Sequence, residues 1–127
     1  MPDEVRERPR FQARLREEIA RSERYGHPFV LVLFEAHRGN DVVPLRSRMT
    51  SGLDILRRSL RSADLAYKVF EDVLVALLVE TDLSGAREAV HRLRQHLNLY
   101  AGSWEMTAYS YPQQSEEIQS LTVLSAA

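Results

Sequence analysis

From Phe29 to His37 the chain reads FVLVLFEAH, apolar almost without interruption and rich in β-branched and aromatic side chains. A strand of that composition has no polar face to turn to water, so it is expected to be a central strand buried on both faces. Whatever this sequence folds into must be built around it.

The segments on either side carry their own periodicities. Phe11, Leu15, Ile19 and Ser22 recur at helical spacing, which predicts a first helix running to about Arg24 and stopping at Gly26 and Pro28. After the turn chemistry of HRGNDVVP, Leu45, Met49, Leu53, Leu56 and Leu60 mark one face of a second helix. LAYKVF and VLVALLV are extended arms around Glu71 and Asp72, the pattern of a β-hairpin. Ala86, Ala89, Val90, Leu93 and Leu97 give a third helical stripe, with Ser84 as its expected N-cap. SWEMTAYSY alternates like a strand, and SEEIQSLTVLSAA opens with two acids suited to a helix N-terminus.

In order, these make a β-α-β-β-α-β core preceded by an N-terminal helix. That is the ferredoxin-like arrangement of an α+β (α/β sandwich) fold, an antiparallel sheet with helices on one face. The 127 residues are expected to form a single domain, with residues 1–10 a flexible N-terminus. The dense charges of DEVRERPRFQARLREE fit a solvated helix face, or a signalling helix that pairs with a partner helix.

Composition removes several function classes. With 17 basic and 18 acidic residues the net charge is −1, which gives no electrostatic reason to expect nucleic acid or an anionic membrane as partner. The absence of cysteine excludes disulfide scaffolds, thiolate metal sites and cysteine nucleophiles. No apolar run approaches a membrane span, so a cytoplasmic protein is expected. His27, His37, His91 and His96 show no metal spacing, and neither a metal nor a cofactor is expected. Trp104, Met106 and Tyr109 to Tyr111 read as strand packing, since no basic groove accompanies them.

Two stretches resemble a known family. FQARLREEIARSERYGHPFVLVLFEAH is similar to the opening of the GGDEF, or diguanylate cyclase, domain, where a helix ending in Arg-Tyr-Gly-x-Pro leads into an apolar strand closed by Asp-x-Asp. RSADLAYKVFEDVLVALLVET resembles the central segment of that family: Arg-x-x-Asp, then the Gly-Gly-Asp-Glu-Phe signature, then a strand ending in Pro-Glu-Thr. The resemblance implies a sheet of the nucleotidyl cyclase type, with Phe70 to Leu74 on the signature positions.

Against the family pattern, the catalytic positions are degenerate. Phe70 and Glu71 stand where two glycines let GTP phosphates approach the backbone, so a ring and a negative charge oppose substrate. Of the carboxylates that would hold Mg²⁺, Glu35 and Asp72 are kept, while His37 and Val73 replace the others. Asn40 and Asp41 are the local candidates for the base-reading pair, at the wrong spacing, and the family's closing lysine-bearing helix has no counterpart in TVLSAA. The resemblance therefore implies a domain without cyclase activity.

It also implies a second site. In the family, Arg-x-x-Asp binds the product, cyclic di-GMP, with help from an arginine on the helix after the hairpin; Arg61, Asp64 and Arg92 occupy those positions. A guanidinium can pair bidentately with a guanine edge or a phosphate. The bland alternative is a solvated helix end in which Arg61 complements the macrodipole and pairs with Asp64. Two functions stay open: a cyclic di-GMP receptor, or a ligand-free module for dimerisation or a protein partner in a bacterial signalling pathway. Phe70 bears on the choice, because an apolar ring at a hairpin tip needs cover.

Overall fold

A computed structural model describes residues 3–37, 43–100 and 102–123. Asn40 and Asp41 lie outside the described residues. The order is α1 (Asp3–Tyr25), β1 (Phe29–Ala36), α2 (Leu45–Ser59), β2 (Leu65–Phe70), β3 (Val73–Leu78), α3 (Leu83–Tyr100), β4 (Trp104–Tyr111) and α4 (Ser115–Ser120), with a 3-10 turn at Leu121–Val123. The strands form one antiparallel sheet in the order β2-β3-β1-β4.

β1 is central, as its composition demands. Val30, Val32 and Phe34 point into a core shared with α2 and α3, while Phe29 and Leu31 point into a second core with Phe11 and Leu15 of α1 and Ile118 of α4. The helices therefore cover both faces, and the expectation of a one-faced sheet is corrected. A strand apolar on alternate and intervening positions alike cannot leave either side wet.

Two local expectations also change. Residues 3–10, expected as part of an N-terminal segment ahead of the first helix, are the first turns of α1. The N-cap of α3 is Asp82, whose Oδ1 accepts the Gly85 N–H at 2.8 Å, so Ser84 sits inside the first turn. At the other end of α1 the expected stop holds: Gly26 takes a φ of 76° and its N–H donates to Ser22 O at 2.8 Å.

α2 approaches the sheet closely at Gly52, where a Cβ would lie 2.9 Å from the Trp104 ring. One turn earlier, the buried Arg48 donates from Nη1 to His37 O (2.6 Å) and from Nη2 to Ser103 O (2.8 Å), tying the end of β1 to the start of β4. Among the described residues no helix is long and apolar enough to cross a membrane.

Candidate functional site

The end of α2, the end of β3 and the start of α3 enclose an open pocket of about 410 Å³ whose lining includes Arg61, Asp64 and Arg92. Arg61 and Arg92, far apart in sequence, meet there because α2 and α3 lie side by side on one face of the sheet. Ser59 Oγ and His96 Nδ1, 3.0 Å apart, bridge the same two helices.

Arg61 is held firmly. Its Nε donates to Asp64 Oδ2 at 2.9 Å and its Nη2 to Asp64 Oδ1 at 3.0 Å, a bidentate pair. Nη2 also reaches Val79 O and Thr81 Oγ1, both at 2.8 Å. The hydrogen bond to Asp64 raises the Arg61 pKa against the opposing effect of burial, so the guanidinium stays charged.

Asp64 is not a surface partner. Its side chain is 3% exposed against 59% for Arg61, and its Oδ1 also accepts the Val79 N–H at 3.1 Å. The carboxylate is thus engaged on both oxygens, and what it presents to the pocket is an oriented arginine. Arg92 is exposed and, among the described residues, has no hydrogen-bond or ion-pair partner.

Glu80 takes a left-handed φ of 47°, turning the chain so that Val79 O and Thr81 Oγ1 reach the same guanidinium nitrogen. Such a backbone is uncommon for a residue with a Cβ and persists where surrounding contacts fix it. Glu80, Asp82 and Glu88 line the rest of the pocket, so its two arginines face four acids when Asp64 is counted. Glu80 also lies 3.9 Å from Arg21 of α1, and Asp82 is occupied as the α3 cap.

The positions matching the cyclase signature gather at the opposite end of β3. Glu71 and Asp72 form the hairpin turn, as expected, and Asp72 O accepts the Ala36 N–H at 2.9 Å. Glu35 is the cross-strand partner of Val73 on one side and of Glu105 on the other, which sets two carboxylates side by side. His37 is exposed, with Nε2 3.8 Å from Glu105 Oε2. Among the described residues no group of three or more His, Cys, Asp or Glu side chains is arranged to hold a metal ion.

Phe70 does find cover, from its own chain. The Arg8 guanidinium lies 4.5 Å from the ring centroid, and Arg8 Nε donates to Val69 O at 2.7 Å. Glu7 pairs with Arg57 at 2.7 Å, and Arg57 Nη2 donates to Ala66 O at 2.9 Å. Sequence reasoning missed Arg8, Arg48 and Arg57, because a lone arginine on a helix gives no local sign of a buried carbonyl partner. Thr81 did carry a signal: it falls on the threonine that closes the Pro-Glu-Thr strand of the family pattern.

No protein-family model and no curated protein matches the sequence. Solved structures do match it. A DGC protein from Thermotoga maritima aligns at 16% identity with a TM-score of 0.70, over 86% of this chain and 87% of that one. The diguanylate cyclase SiaD of Pseudomonas aeruginosa, solved in complex with its activator SiaC, aligns at 20% identity and a TM-score of 0.66, over 91% of this chain and 52% of that one. PelD of Pseudomonas aeruginosa, solved in complex with c-di-GMP, aligns at 22% identity and a TM-score of 0.58, over 80% of this chain and 38% of that one. The chain has the fold of GGDEF, or diguanylate cyclase, domains.

Proposed function

We propose that this chain is a catalytically inactive GGDEF-like signalling domain that binds cyclic di-GMP through Arg61 and Arg92, with Asp64 holding Arg61 in place. The observation that carries the reading is the meeting of all three residues at one open pocket. It is supported by a structural neighbour, PelD, that was solved with c-di-GMP bound. Arg61 is charged, pre-oriented and more than half exposed, which lowers the ordering cost of a bidentate contact to guanine or phosphate.

Calorimetric titration with cyclic di-GMP tests this directly. Arg92→Ala is the clean variant, since Arg92 supports no other described residue. Loss of a charged contact of this kind costs about 2–5 kcal/mol, more than tenfold in affinity. An unmodified protein that takes up no ligand, or an Arg92→Ala protein that binds equally well, would overturn the proposal.

Catalytic inactivity rests on separate residues. Phe70 and Glu71 fill the positions of the phosphate-approach glycines, and Val73 and His37 replace two metal carboxylates. Incubation with GTP and Mg²⁺ or Mn²⁺ is expected to yield no cyclic di-GMP, and turnover above a blank would refute it.

A second reading draws on the charge around the pocket. Glu80, Asp82 and Glu88 repel phosphates, and both hydrogens of Arg61 Nη2 are already engaged among Val79 O, Thr81 Oγ1 and Asp64 Oδ1. On that reading the domain is an interaction module with a structural Arg61–Asp64 clamp. SiaD, whose fold it shares, was solved with a protein activator. The same titration separates the two.

A further inference from the structure

The two edges of the sheet are finished differently. On β2, the outward Ala66 C=O accepts from Arg57 and the outward Lys68 N–H donates to Glu7 at 3.4 Å, so side chains from α2 and α1 close that edge. On β4, the Ser110 groups are closed, the N–H by Gln114 Oε1 (2.9 Å) and the C=O by the Gln114 N–H (2.8 Å). Backbone polar groups alternate sides with period two, so Met106 and Ala108 face outward as well. Among the described residues neither has a hydrogen-bond partner on that edge. An unguarded strand edge is a template for another strand.

Beside it lies a shallow groove of about 190 Å³ between α3 and β4, apolar at Ala86, Val90 and Ala108 and basic at Arg87, His91 and Arg94. The three basic residues fall at i, i+4 and i+7, one face of the helix. No acid lines the groove, and neither Arg87 nor Arg94 has an ion-pair partner among the described residues. In a chain whose charges nearly cancel overall, an unpaired basic row next to a bare strand edge is a local feature.

We propose that this face docks an acidic, extended segment of another protein, which adds as a strand to β4 and sets its carboxylates against Arg87 and Arg94. Main-chain bonds to Met106 and Ala108 supply the pairing, and alternate side chains supply the specificity. The spacing fits: Arg87 and Arg94 are about 10 Å apart along the helix axis, and residues i and i+4 of a strand about 13 Å. A second copy of this chain is the poorer occupant, because edge-to-edge pairing of two β4 strands brings two basic rows into the same assembly.

The probe is a labelled peptide, Glu-Thr-Val-Thr-Glu-Thr, which presents Glu, Val and Glu on one face. Fluorescence anisotropy with the full chain is expected to show saturable binding that weakens with added salt. Arg87→Glu with Arg94→Glu should weaken it by roughly tenfold or more. In the unmodified protein, peptide should slow hydrogen exchange at the Met106 and Ala108 amides. Absence of binding, equal binding of Lys-Thr-Val-Thr-Lys-Thr, or unchanged exchange at those two amides overturns the proposal. So does a concentration-dependent dimer that Ala108→Pro abolishes, which would assign the edge to a second copy.

Discussion

A carboxylate whose side chain is 3% exposed must take its hydrogen bonds from the protein, and Asp64 takes them from Arg61 and from the Val79 N–H. Asp64→Ala strands that buried N–H and releases Arg61 from its anchor. An unsatisfied buried donor costs about 1–3 kcal/mol, so the urea midpoint of the variant is expected to fall by that amount over m. Arg92→Ala, exposed and unpartnered, should stay within about 0.5 kcal/mol of the parent. Equal midpoints for the two variants would remove the positioning role from Asp64. The three-residue spacing of Arg61 and Asp64 is legible in the sequence, and so is Arg92. The burial is not: it arises because Val79, 15 residues along, folds back over the carboxylate. That geometry also makes Arg61→Ala a change to a buried contact as well as to the pocket.

At the scale of the elements, the apolar pattern places α2, α3 and the four strands, since each carries its own period or run of apolar residues. What periodicity could not give is the cover on β2. Arg8 and Val69 are 61 residues apart, and Glu7 and Arg57 are 50 apart. Charged residues near a chain end read as solvated until the strand they close is known. The N-terminal turns of α1 are therefore a guard on the β2 edge, and the guard can be removed. Glu7→Ala with Arg8→Ala loses partly exposed pairs worth about 1 kcal/mol together. The larger expected effect is association, because the Lys68 N–H loses Glu7 and the Val69 C=O loses Arg8 on an edge that another chain can pair with. Sedimentation velocity should show the double variant self-associating at concentrations where the parent does not. A variant that stays monomeric would mean the edge is protected by other means.

Across the whole molecule, the pocket and the hairpin tip at Glu71 and Asp72 lie at opposite ends of β3, a separation of about 20 Å for a six-residue strand. α1 reaches both. Its 23 residues span about 35 Å, with Arg21 beside Glu80 at the pocket and Arg8 over Phe70 at the hairpin. The pocket also touches the turn that follows α1, through the Thr81 N–H on Pro28 O at 3.0 Å. If the chain makes no product, a ligand held by Arg61 and Arg92 has no catalysis to regulate, and its signal must leave through an element that contacts the pocket. Phosphates arriving near Glu80 would draw Arg21 toward the pocket, since a guanidinium placed between two anions is attracted to both and offsets their mutual repulsion. The C-terminal half of α1 is then expected to be tied more tightly to the pocket rim. Hydrogen exchange with and without cyclic di-GMP should show added protection in residues 18–28, and the gain should vanish in Arg21→Ala while the ligand still binds. Protection confined to α2 and α3 would show that occupancy is not passed to α1.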